Sequence, residues 1–138
     1  PHNRSIARAL VRQPKVYFFD TGLVQGDSGK VLENLVALSL FRQLCLAEDR
    51  DGKHRSLRYL RTREGREVDF VTTEEEQPVL MLEVKSQDRS LAPSLRYFHE
   101  HYGFPGVQLV ADIHQENEAG PLKLRRALDW LEEMKEEP

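Results

Sequence analysis

Asp69 and the triplet Glu83-Val84-Lys85 are the residues whose types and spacing could do chemistry in this chain. Each lies in a short strand-like run, Glu67-Val68-Asp69-Phe70-Val71 and Val79-Leu80-Met81-Leu82-Glu83-Val84-Lys85. Strand side chains alternate between faces, so Glu83 and Lys85 project the same way, and pairing of the two runs can bring Asp69 to join them. Two carboxylates and an ammonium are costly to bury on a core strand without compensation. The chemistry such a trio suits is holding a hard divalent cation, Mg²⁺ or Mn²⁺, against a phosphodiester.

The elements that must position these residues follow from pattern. Thr72 to Pro78, polar and containing a proline, reads as the turn between the two runs. Lys30 to Ala47 is the strongest helical segment and Leu57 to Arg61 a further strand. Ser90 to Tyr102 reads as a helix with Pro93 in its first turn and Gly103 just past its end. Val107 to Val110 is a strand, and Pro121 to Met134 reads as a last helix on the spacing of Leu124, Leu128 and Leu131, with Trp130 packing it down and the residues after Met134 fraying. Upstream, Arg4 to Gln13 reads as a short amphipathic helix, Val16 to Phe19 as an apolar strand and Gly22 to Gly29 as a loop. Residues 1–29 are therefore expected to pack on a core formed by residues 30–138, within one domain. The fold class is α/β: a mixed central sheet flanked by helices, in the order α-β-β-β-α-β. Three consecutive strands make an antiparallel meander, and the step from Glu83 to Val110 adds a parallel neighbour through a crossover. Leu80, Leu82 and Val84 alternate with Val79, Met81, Glu83 and Lys85, so this strand is apolar on both faces and expected at the centre of the sheet.

Composition sets the bounds. The chain has 138 residues, 39% of them hydrophobic and 31% charged, enough for a real core. No run approaches the ~18 apolar residues of a membrane helix, and there is no signal-peptide pattern. Cys45 is the only cysteine, which excludes a disulfide framework or a thiolate zinc site and makes a reducing, cytoplasmic setting the expectation. With Pro1 in place of a methionine, the chain is expected to be a piece of a longer protein. The net charge of −3 is unevenly spread: Arg50 to Arg66 holds seven basic residues against two acids, whereas Asp112 to Pro138 holds eight acids against four bases. Arg55, Arg58, Arg61, Arg63 and Arg66 are therefore candidates for tracking a phosphate backbone, the other reading being that they are solvated or neutralise nearby acids.

On the long helix, Glu33 lies on the stripe of Ala37, Leu40 and Leu44. A carboxylate there either finds an arginine or the helix start, where acids are favoured, or points over the sheet towards Asp69 and Glu83. Other motifs carry less. Gly26-Asp27-Ser28-Gly29-Lys30-Val31 departs from a P-loop, with Val31 where a magnesium-binding Ser or Thr would stand. His99-Glu100-His101 lacks zinc-protease spacing and reads as the rim of a helix, and Tyr17, Phe18 and Phe19 read as core.

Together these features resemble the PD-(D/E)xK nuclease superfamily, with its restriction-endonuclease-like fold. Glu33, Asp69, Glu83 and Lys85 match its helix glutamate, second-strand aspartate and third-strand Glu-x-Lys. More closely, Lys15 to Leu23, Leu32-Glu33-Asn34, Glu67 to Phe70 and Glu83 to Ser86 resemble a C-terminal domain of unassigned function found in prokaryotic AAA+-type ATPases, where it follows the ATPase core and a winged-helix segment. The resemblance implies a Mg²⁺ or Mn²⁺ ion on Asp69, Glu83 and the Val84 carbonyl, with Glu33 acting on water or a second ion and Lys85 positioning the attacking water. It implies nucleic acid as a partner, an ATPase module on the same polypeptide and, as in many restriction-like folds, a homo-oligomer. The competing expectation is a catalytically silent recognition or scaffold module.

Overall fold

The computed structural model describes residues 11–12, 28–87, 90–113, 115–118 and 120–136, with only the backbone described for Val11, Arg12, Ser28 and Glu136. The elements are β1 (Val11–Arg12), α1 (Ser28–Asp51), β2 (Arg55–Arg61), β3 (Glu67–Glu74), β4 (Gln77–Lys85), α2 (Pro93–Tyr102), β5 (Gly106–Val110), β6 (Leu122–Arg126) and α3 (Ala127–Glu136). All six strands form one sheet in sequence order. β1 to β4 pair antiparallel, and β4 to β6 pair parallel. The expected α-β-β-β-α-β order and the mixed α/β sheet are present, with β4 at the junction of the antiparallel and parallel halves.

Alternation along β4 separates two cores. Leu82 and Val84 pack with Phe70, Leu109 and, from α1, Val36, Ala37 and Leu40. Met81 packs on the other face with Leu60, Val68, Val71 and, from α2, Leu95 and Phe98. Leu131 is buried in the α1 core, and Trp130 packs against it. The α2 boundaries follow local chemistry: Pro93 has no N–H to lose in the first turn, and Gly103 takes the left-handed conformation (φ 77°) that releases the chain from the helix.

Four expectations are corrected. Pro121 to Met134 is a strand, Leu122–Arg126, followed by a helix that continues to Glu136. The alternation of Leu122 and Leu124 serves a parallel strand beside β5, and parallel pairing outweighs a helical spacing that Leu124 happens to share with Leu128 and Leu131. Val11 and Arg12 form strand against Leu60 and Tyr59 where a helix was expected, and Ser28 and Gly29 belong to α1 where a loop was expected. The remainder of the Arg4–Gln13 helix, the Val16–Phe19 strand and most of the Gly22–Gly29 loop lie outside the described residues. Finally, the β3–β4 turn is only Glu75-Glu76, so Pro78 lies inside β4. It is tolerated there because the ladder shifts register at that point, leaving Val79 as the extra, exposed residue.

Candidate metal and phosphodiester site

The sheet forks where the chemistry-bearing residues stand. The β3–β4 ladder runs from Glu74↔Gln77 to Phe70↔Leu82 and stops. Beyond it, Val68 and Glu67 remain paired with β2, and Glu83, Val84 and Lys85 remain paired with β5. A register shift between Arg58/Leu60 sets both Asp69 and Phe70 opposite Tyr59, so Asp69 sits in a β-bulge. Bulges re-aim a side chain where pairing ends, and here the aim is across the fork.

The two carboxylates replace the missing ladder. The Asp69 N–H donates to Glu83 Oε1 at 2.9 Å, and the Val84 N–H donates to Asp69 Oδ2 at 2.9 Å. Each acid thus satisfies a main-chain donor of the other strand, which fixes both side chains and answers for two N–H groups that the ladder leaves unpaired. Lys85 Nζ lies 3.6 Å from Glu83 Oε2, on the same side of β4 as expected. Glu83 is buried and Lys85 half-exposed. Burial first, and then the Asp69 charge, push the Glu83 carboxyl up to about 7, with the Lys85 ammonium acting in the opposite direction. The site therefore holds more negative charge than its own cation relieves.

The fork lies at the carboxyl ends of the parallel strands β4 and β5, the edge where open α/β sheets bind ligands. Asp69, Glu83, Val84 and Lys85 come together there. Glu33 is largely buried on α1 and stands 3.8 Å from Lys30. α1, which carries Glu33, packs on the Leu82 and Val84 face of β4. Among the described residues, no three His, Cys, Asp or Glu side chains are grouped to hold an ion.

The basic run divides. Arg55 is bonded through both guanidinium nitrogens to Asp51 at 2.7 Å and through one of them to Glu74 at 2.8 Å, so its charge is spent inside the fold. Its hydrogen bonds hold Asp51 well below the usual carboxylate range. Arg58 donates to Ser56 Oγ at 2.9 Å and lies 4.0 Å from Glu76. Of the five arginines expected to track a phosphate backbone, Arg55 is thus bonded within the fold and Arg58 stands beside Glu76. Arg61, Arg63 and Arg66, at the β2–β3 hairpin on the fork edge, are exposed and make no ion pair among the described residues. An apolar groove of about 250 Å³ between α1 and α3, lined by Leu40, Leu44, Leu80 and Trp130 among others, contains none of the candidate residues.

Sequence reasoning missed Gln108. It is fully buried beside Glu83 in register, accepts from the Ala92 N–H at 2.7 Å and donates to the Ser90 carbonyl at 2.8 Å. Its signal was a lone amide inside Val107-Gln108-Leu109-Val110. It ties the start of α2 to the strand next to the carboxylates.

Over residues 28–122, more than half of its length, the chain matches the family described as Domain of unknown function (DUF4143), and it belongs to that family. No curated protein and no solved structure matches it. No helix among the described residues is long and apolar enough to cross a membrane.

Proposed function

We propose that this domain is a Mg²⁺- or Mn²⁺-dependent phosphodiesterase module of the PD-(D/E)xK kind, acting on DNA or RNA and attached to an AAA+-type ATPase. The observation that carries the reading is the reciprocal clamp of Asp69 and Glu83 at the fork, with Lys85 beside it. The donor set fits a hard cation: both side chains present carboxylate oxygens, and Mg²⁺ is commonly held by one or two carboxylates with waters and substrate phosphate completing the shell. Val84, through its carbonyl, and Glu33 complete the set that the resemblance implies. When bound, the cation supplies Lewis acidity at the scissile phosphate. Asp69 and Glu83 contribute pre-aimed oxygens whose positions are fixed by the main chain. Lys85, on the solvent side of Glu83, offers a donor to the charge that grows on the phosphate, an effect worth several kcal/mol in a water-poor site. Arg61, Arg63 and Arg66 contribute backbone affinity with little sequence preference. The ATPase attachment rests on the motif resemblance.

The test is cleavage of labelled DNA and RNA by the purified chain with Mg²⁺ or Mn²⁺. Asp69→Ala and Lys85→Ala should each lower the rate at least about a hundredfold; equal rates in all three proteins would assign the activity to a contaminant and end the proposal. A scaffold reading is favoured by one specific observation, that Asp69, Glu83 and Lys85 already satisfy one another in the protein alone. Titration calorimetry separates the two: Mn²⁺ binding abolished by Asp69→Asn supports the phosphodiesterase, and no heat in the wild type supports the scaffold.

A further inference from the structure

Beside the fork stands a stacked group of which the phosphodiesterase reading uses only Arg66, and that only for its charge. The Arg66 guanidinium carbon lies 4.3 Å from the Tyr97 ring centroid. The His101 ring stacks on the same tyrosine at 4.0 Å between centroids, with 27° between planes. We propose that this Arg66–Tyr97–His101 group, with Arg61 and Arg63 alongside, binds single-stranded nucleic acid by base stacking and so sets the substrate class of the site. Its consequence for cleavage rests on the phosphodiesterase reading; the binding itself does not.

The group is preorganised. A carbonyl oxygen only accepts, so His101 Nδ1 carries the proton of its 2.9 Å bond to the Tyr97 carbonyl, which fixes the imidazole plane. Tyr97 is itself held edge-on against Phe98, a fully buried core residue, at 5.3 Å and 87°. Arg66 and His101 are nonetheless exposed. Flat groups locked before binding lose little rotamer freedom when a base stacks on them.

Its position suits the site. Arg66 precedes β3, and Asp69 lies three residues on, about 10 Å along the strand. Tyr97 is five residues from Ala92, about 7.5 Å along the helix, and Ala92 is tied to Gln108 next to Glu83. A strand stacked on the group would therefore need only a short reach to bring a phosphate to the fork.

Charge decides between single strand and duplex. The exposed acids Glu64 and Glu67 are interleaved with Arg61, Arg63 and Arg66 along the β2–β3 hairpin, and exposed Glu100 neighbours His101 on α2, so the described residues offer no continuous basic stripe for a duplex backbone. Stacking needs bases whose π-faces are open, which a duplex does not offer.

The experiment is fluorescence anisotropy with the full chain in EDTA, using twelve-nucleotide oligothymidine, oligouridine, an abasic strand of equal length and a duplex of equal length. The two homopolymers should bind at least tenfold tighter than the abasic strand and the duplex, and the first two arms separate DNA from RNA. His101→Ala, an exposed substitution, should weaken oligothymidine binding about five- to a hundredfold, and Arg66→Lys should weaken it while keeping the charge. With at most three phosphate contacts, raising salt from 50 to 200 mM should cost no more than about twentyfold. Duplex or abasic affinity equal to that of the homopolymers, or no effect of His101→Ala, would overturn the inference. Wild-type kcat/KM for cleavage by His101→Ala would also sink it while leaving the hydrolytic site standing; stacking-dependent binding with no cleavage by any form would support it and remove the phosphodiesterase reading instead.

Discussion

Glu83 shows how one side chain carries both the stability and the chemistry of the fork. Its carboxyl is raised from 4.5 to about 7 by burial and by Asp69, so the folded state holds a proton that the unfolded chain releases. The sign follows: this contribution is fully present below pH 4.5 and is lost as pH rises through 7. A shift of that size corresponds to roughly 3 kcal/mol. Glu83→Gln keeps an oxygen to accept the Asp69 N–H but cannot ionise. In metal-free buffer it should leave stability at pH 4.5 almost unchanged and raise the melting temperature at pH 8, read by calorimetry across the range; an equal effect at both pH values would mean that ionisation of the buried Glu83 carboxyl is not the cause. This residue was legible in the sequence because a period of two puts Glu83 and Lys85 together on an otherwise apolar strand. The fate of Arg55 was not, because its partners Asp51 and Glu74 come from a helix end and another strand that only the tertiary structure joins.

Among the elements, the β3–β4 hairpin keeps its register under strain. Glu75 and Glu76 both hold positive φ, 50° and 67°, in a two-residue turn whose twist suits a hairpin but whose residues lack the freedom of Asn or Gly. His54 and Arg58 stand 3.5 and 4.0 Å from Glu76, and the His54 N–H donates to Glu75 Oε1 at 3.3 Å, but such solvent-facing contacts contribute little. Replacing Glu75-Glu76 with Asn-Gly should therefore stabilise the protein by about 1 to 2 kcal/mol in urea unfolding. Because the turn is at the end of the strands away from Asp69, cleavage should not change; a fall in stability would show that the ion pairs outweigh the strain. Element identities were legible wherever length and period agreed, as in α1, β3 and β4. They were not where letters served two patterns. Leu122, Leu124, Leu128 and Leu131 fit a strand running into a helix as well as one helix, and only the open edge of β5 decides. Two residues of strand, Val11–Arg12, are too short for any period to show.

At the scale of the molecule, two clusters of charge pull stability in opposite directions with pH. Arg125 is buried at the end of β6 and bonds Glu116 at 2.7 Å and Glu133 at 2.8 Å, with Glu118 at 3.0 Å, tying the segment before β6 to α3. The Arg125 hydrogen bond, and after it the Arg126 N–H, hold the Glu116 carboxyl below its ordinary 4.5. That contribution is present above 4.5 and is lost as pH falls through the lowered value. Glu83 acts with the reverse sign between 4.5 and 7. The metal-free protein should then be most stable close to pH 5 and lose stability on both sides. A divalent cation changes only the alkaline limb, because it competes with the proton for the Glu83 oxygens and binds the ionised form. Millimolar Mn²⁺ should raise the melting temperature by several degrees at pH 8 and by much less at pH 5, moving the optimum towards neutrality, and Asp69→Asn should abolish that movement. The same rise at both pH values would mean that the ion binds away from the fork. No rise at either would leave the Asp69–Glu83–Lys85 group as an internal ion cluster, which is what a scaffold requires and a phosphodiesterase cannot use.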